Sequence, residues 1–147
     1  MMKIPPDFKD FLKLLNENEV RYLLVGGYAV GYHGYVRSTG DLDIWIEPEP
    51  DNADRVMAVL ARFGFGGATL RKESLVKDDQ IIRMGISPLR IELLTSIDGV
   101  AFAECFAARI VDQIDGVTVN VIDLEHLRIN KRAAGRHKDL DDLENLE

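Results

Sequence analysis

The chain has 147 residues, 46% of them hydrophobic, which suits one domain over 1–147 with a real core and excludes global disorder. Its net charge of −7 excludes general nucleic-acid binding through a basic surface. One cysteine, Cys105, rules out an intramolecular disulfide. With no leader-like start and no bilayer-length apolar run, the expectation is a soluble cytoplasmic protein with no membrane partner.

Pro5-Pro6-Asp7 reads as a helix start with Asp7 as N-cap, and Phe8, Phe11, Leu12 and Leu15 follow at helical spacing. Val20 to Val25 reads as a buried strand. Gly26-Gly27 breaks it, and a short helix is expected from Tyr28 to about His33. Residues 34–40 form a loop, and 41–46 alternate polar and apolar as a strand does. Pro48 and Pro50 end that strand, and Asp51 or Asn52 caps a helix with Val56, Val59, Leu60 and Phe63 on its apolar side. Residues 64–67 are a glycine-rich turn without the lysine of a P-loop.

Two strands are expected at 80–86 and 89–95, joined at Ser87-Pro88 as a hairpin. Leu89, Ile91 and Leu93 would face the core, with Arg90, Glu92 and Leu94 on the other side. A helix follows over 100–108 with Cys105 on its buried side. A second hairpin pairs 109–114 with 117–122 around Asp115-Gly116. Asp123 caps a helix that runs to Ala134 and stops at Gly135, and an acidic helix covers 138–147. This order predicts an α/β (α+β) fold, a mixed sheet with helices packed on it.

The chemistry concentrates around Gly26-Gly27 and the run from Asp41 to Ile46. Side chains two apart on a strand share a face, so Asp41 and Asp43 project together while Leu42, Ile44 and Ile46 face the core. Two such carboxylates repel, and one proton or one cation relieves them. A divalent metal is the simplest resident, and a phosphate chain its usual partner. A glycine turn between strand and helix lets backbone amides approach an anion, with the helix start adding positive charge; an isolated Gly-Gly reads first as an ordinary tight turn, and only the acidic pair close behind makes the signal specific.

If strand 89–95 lies beside 41–46, Glu92 joins Asp41 and Asp43. Three carboxylates can hold one or two hard cations that clamp a phosphoryl displacement. The alternative pairs Glu92 with Arg90 or a lysine. Arg37 can fork onto phosphate oxygens or tie its loop to Asp41, and Ser38 and Thr39 can contact phosphate or cap turns. His33 can act as a base or a metal ligand, but with no second histidine nearby it reads first as hydrogen-bonded and structural. Lys131, a turn from Arg128 and two from Leu124, faces inward and can reach a triphosphate or offset its helix dipole. Asp139 and Asp142 read as a cap or as partners of the basic cluster around Arg128–Lys138. Zinc spacing, a Gly-x-Ser-x-Gly elbow and a dinucleotide fingerprint are all missing.

Leu24-Val25-Gly26-Gly27-Tyr28-Ala29, His33-Gly34, Arg37, Thr39, Asp41 and Asp43 together resemble the minimal nucleotidyltransferases of the DNA polymerase β superfamily. The spelling is closer still to the small bacterial and archaeal group related to AbiEii-type toxins. The tail, Lys131 to Gly135-Arg136, Lys138-Asp139 and Asp142, is similar to that group's.

The resemblance implies the nucleotidyltransferase fold and transfer of a nucleoside monophosphate from an NTP to an unidentified hydroxyl acceptor, with Mg²⁺ or Mn²⁺ and release of pyrophosphate. It implies that Asp41, Asp43 and Glu92 bind metal and act in catalysis, and that Gly26, Gly27, Arg37, Thr39 and Lys131 bind the nucleotide. Glu92 departs from the aspartate common at the third position. The core fold consumes most of the chain, so acceptor binding would fall to loops such as 64–79, a homodimer's second subunit or another protein partner. The alternative expectation is a non-catalytic nucleotide-binding or toxin–antitoxin-type regulatory protein that keeps the fold.

Overall fold

Helix α1 (Pro6–Glu17) takes Pro5 as its N-cap and Pro6 in its first turn, where the missing N–H costs nothing. Asp7 therefore sits inside the first turn rather than capping it, and there it complements the helix dipole. The structure is a computed structural model that describes residues 2–36, 40–65, 70–86 and 89–146. Phe8, Phe11, Leu12 and Leu15 are all buried, as their spacing predicts. Each such side chain is worth about 1.5–3 kcal/mol when fully buried, so packing more than helix propensity holds α1.

The strands are β1 (Tyr22–Val25), β2 (Asp41–Ile46), β3 (Ile81–Ile86), β4 (Leu89–Leu94), β5 (Ile110–Ile114) and β6 (Val117–Val121). They form one sheet in the order β3-β4-β2-β1-β6-β5. β2 runs parallel to β4 and β1 parallel to β6, while β1–β2, β3–β4 and β5–β6 are antiparallel. This is the mixed sheet the sequence predicts. The remaining helices are α2 (Gly26–Tyr32), α3 (Pro50–Phe63), α4 (Phe102–Ala107), α5 (Leu124–Ala134) and α6 (His137–Asn145). A short 3₁₀ helix, Lys72–Val76, precedes β3 and has no counterpart in the sequence reading.

Several boundaries and one facing differ from expectation, α4 among them at Phe102–Ala107 against 100–108. α2 begins at Gly26 rather than Tyr28, so both glycines belong to its first turn. α3 starts at Pro50 with Glu49 as N-cap, and Asn52 is instead buried. Its Oδ1 accepts from the Arg21 N–H (2.8 Å), and its Nδ2 donates to the Arg21 and Glu47 carbonyls (both 3.0 Å). One amide thus ties the chain before β1 to the end of β2, satisfying backbone groups that burial would otherwise orphan. α6 begins at His137. Leu89, at the strand's start, is 46% exposed, while Ile91 and Leu93 are buried as expected.

The two faces of β2 have different fates. Leu42, Ile44 and Ile46 are completely buried on one face. On the other, Asp41 and Asp43 precede Trp45, whose ring meets Phe102 of α4 edge-on at 5.1 Å. α5 is fixed near the end of β4 by two close approaches. Asn130 Nδ2 donates to the Asp98 carbonyl at 2.9 Å, and a Cβ at Gly99 would lie 2.6 Å from that of Ala133. No helix among the described residues is long and apolar enough to cross a membrane.

Candidate active site

β1 ends at Val25, which lies opposite Asp43 in the β1–β2 register. The next residue, Gly26, has φ +67°, and a Cβ there would stand 2.0 Å from Asp43 Oδ2. A side chain is excluded twice, by the left-handed backbone and by the carboxyl that fills its place. The glycine turn and the acidic strand are therefore one steric unit. α2 is only seven residues long, so its dipole is weak and any anion would depend chiefly on the amides of the glycine turn.

Parallel pairing sets Asp43 directly beside Glu92 and Asp41 beside Arg90. Period two then puts Asp41, Asp43 and Glu92 on one face, the juxtaposition their spacing predicts. Burial pushes the Asp43 carboxyl up to about 7, helped by a hydrogen bond with Glu92 and by the charges of Glu92 and Asp41. Burial also works to raise Glu92. The hydrogen bonds from Arg83 and Asp43 outweigh it and hold Glu92 below the ordinary glutamate range. The two acids titrate as a pair, with Asp43 the member that holds its proton to the higher pH. Asp43 Oδ1 is buried without a hydrogen-bond partner.

Two arginines attend the outer acids. Arg83 Nε donates to Glu92 Oε2 at 2.6 Å, and Arg90 Nε and Nη2 face the Asp41 oxygens at 3.4 and 3.5 Å. The partner of Glu92 is thus Arg83 of β3, opposite it in register, and not the Arg90 or lysine of the alternative reading. Among the described residues no three histidine, cysteine or carboxylate side chains converge closely enough to hold a metal as they stand.

Asp41, Asp43, Arg83 and Glu92 floor a cavity of about 470 Å³. Its other wall comes from α5 and the start of α6, through Asn130, Lys131, Ala134, Arg136 and Lys138. Gly26 and Gly27 also line it, as do Gln80, Ser96 and Asp98. The volume lies within the usual range for small-molecule sites.

Lys131 reaches this cavity but is 4% exposed, with Nζ 3.2 Å from Asp139 and 3.1 Å from Asp142. Asp139 also caps α6 by accepting from the Arg136 N–H, so it combines the two structural roles its sequence suggests. Burial works to raise its carboxyl, and Arg136 and Lys131 overcome that and lower it. His33 Nε2 bonds the Ile122 carbonyl at 2.7 Å, the structural role expected of it. Arg37, Ser38 and Thr39 lie outside the described residues. Sequence reasoning missed Arg83, although a hairpin turning at 87–88 already sets residue 83 across from Glu92.

The fold is that of the nucleotidyltransferases. The chain is similar to the solved structure of TM1012 from Thermotoga maritima, itself assigned only provisionally as a nucleotidyltransferase. The TM-score is 0.63 over 97% of this chain and 93% of that one, at 14% identity, a level that speaks for the fold alone. The family follows from the sequence itself. Residues 6–147 match the family described as nucleotidyl transferase of unknown function (DUF2204), and the chain belongs to it. No protein of curated function matches the chain.

Proposed function

We propose that the chain transfers a nucleoside monophosphate from an NTP to a hydroxyl of RNA, protein or a small molecule, with Mg²⁺ or Mn²⁺ held by Asp41, Asp43 and Glu92. The observation that carries this reading is Asp43. Its carboxyl is buried against a second acid, one oxygen has no partner, and Gly26 leaves the space it occupies. Hard oxygen donors in that position suit a divalent cation, which would relieve the repulsion between the acids. When bound, the ion supplies neutralisation of phosphate charge and acidification of the acceptor hydroxyl.

The chain's own residues do the rest. The Gly26-Gly27 backbone lies where a phosphate chain can approach without meeting a side chain. The acceptor oxygen bonds to the α-phosphorus, the bond to the β-phosphate oxygen breaks, and pyrophosphate leaves. Glu92, once free of Arg83, would be the group placed to receive the acceptor's proton. With a cation on the acids, Arg83 and Arg90 would give up their bonds to Glu92 and Asp41, and Arg83, which lines the cavity, would be free to meet phosphate oxygens.

A second reading keeps nucleotide binding without turnover. The Arg83–Glu92 bond favours it, because an arginine that stays in place withholds the third carboxylate. Calorimetric titration with ATP, GTP, CTP and UTP, with and without Mg²⁺, tests the site. Metal-dependent binding that disappears in Asp41→Asn/Asp43→Asn is expected, and its absence in the wild type contradicts both readings. Pyrophosphate release with a panel of hydroxyl acceptors then separates them.

A further inference from the structure

The cavity sets acids on its sheet floor against cations on its helical wall. On the wall, Arg136 combines exposure with a fixed pose. Its side chain is 69% exposed, yet Nε donates to Asp139 Oδ2 at 2.7 Å and Nη2 to Asp139 Oδ1 at 3.3 Å. A guanidinium is planar and offers two forked edges. Asp139 takes the Nε/Nη2 edge, and among the described residues nothing engages Nη1.

Asp139 is itself immobilised. It is 1% exposed and accepts from Lys131 Nζ and from the Arg136 backbone. Lys131 is anchored in turn by Asp142, and α5 by the Asn130–Asp98 bond and the close approach at Gly99. A chain of buried contacts thus fixes one edge of a guanidinium whose residue lines the cavity above Asp41, Asp43 and Glu92. The Arg136 cation feels the charge of Asp43 and Asp98, so it lies within electrostatic reach of the floor.

We infer that Arg136 is a triphosphate-binding residue, forking its outer edge onto phosphate oxygens while Asp139, set by Lys131, holds its inner edge. The inference rests on the nucleotide reading above and deepens it. It makes Lys131 a positioning residue that acts through Asp139 and leaves direct phosphate contact to Arg136. Prepaid orientation is the advantage, since an arginine already locked in its plane loses little freedom when the phosphate arrives.

The test is titration of wild type, Arg136→Gln and Arg136→Lys with inorganic tripolyphosphate and with inorganic phosphate, both in Mg²⁺, beside the four NTPs. Arg136→Gln is expected to weaken tripolyphosphate and NTP binding at least tenfold and orthophosphate less than threefold. Arg136→Lys should recover only part of the loss, because an ammonium cannot fork. A purely structural residue would not discriminate by phosphate number, and melting curves check that each variant is folded. Wild-type binding matched within twofold by Arg136→Gln overturns the inference and leaves the nucleotide site standing. Failure of the wild type to bind any NTP or tripolyphosphate overturns the nucleotide reading and the inference with it.

Discussion

Two pairs of acids, one on the sheet at Asp43 and Glu92 and one on α6 at Asp139 and Asp142, have their charges met in opposite ways. Asp139 and Asp142 are completely buried around the Lys131 ammonium, with Arg136 completing Asp139. Asp43 and Glu92 are set side by side by strand pairing, burial and the neighbouring Glu92 raise the Asp43 carboxyl to about 7, and Asp43 Oδ1 is left with no partner. The residue type is the same, so the neighbours decide the role. Acids surrounded by cations hold the fold together. Acids pressed against each other raise the cost of folding, and that cost falls when a cation arrives.

The largest effect should come from the paired side. Lys131→Met leaves two carboxylates buried without their ammonium and is expected to lose about 3–5 kcal/mol in urea denaturation. A loss below about 1 kcal/mol would mean that water already reaches the cluster. Next comes Gly26→Ala, which forces a side chain into φ +67° and onto Asp43. About 2–4 kcal/mol should be lost, together with any metal response, because the displaced group is Asp43 itself.

Asp43→Asn should act with the opposite sign. The Asp43 carboxyl titrates near 7 when folded and near 3.8 when unfolded. Between those values the folded state holds the extra proton, so metal-free stability falls as pH rises from about 4 to about 7 and levels off above. An asparagine escapes that loss. The variant is expected to gain about 1–3 kcal/mol over wild type at pH 8 and little at pH 4, read from paired denaturation curves. A gain independent of pH would point to packing instead of charge. The smallest effect belongs to a surface pair, Lys72–Asp54, at 2.8 Å with both groups well exposed. Asp54→Ala should change stability by less than about 0.5 kcal/mol.

Much of this was legible in the sequence, for identifiable reasons. Period two placed Asp41 with Asp43, and the alternation of 89–95 placed Glu92 away from Ile91 and Leu93. Asp115-Gly116 turned its hairpin, with both residues at positive φ, and Asp123 capped α5 through the His126 N–H. What stayed hidden depends on contacts distant in sequence. Asn52 looks like a helix cap because it follows Pro50, and only the approach of Arg21 and Glu47 gives its amide better partners. Proline displaced the expected caps at Asp7 and Asp51 because its missing N–H suits the first helical position. The inward face of Lys131 could be read from its helix, but the two buried acids that meet it lie beyond the turn at Gly135. Arg37 and Thr39, on which the family resemblance also draws, fall outside the described residues.

The most direct measurement is the melting temperature of wild type and Asp43→Asn at pH 8, with and without millimolar Mg²⁺ or Mn²⁺, followed by the fluorescence of the single tryptophan, Trp45, two residues from Asp43. If the acidic floor is a cation site, the metal raises the wild-type midpoint by several degrees and leaves Asp43→Asn unmoved, since binding at a hundredfold excess over Kd adds about 2.7 kcal/mol. An unmoved wild type, or equal shifts in both proteins, would contradict it.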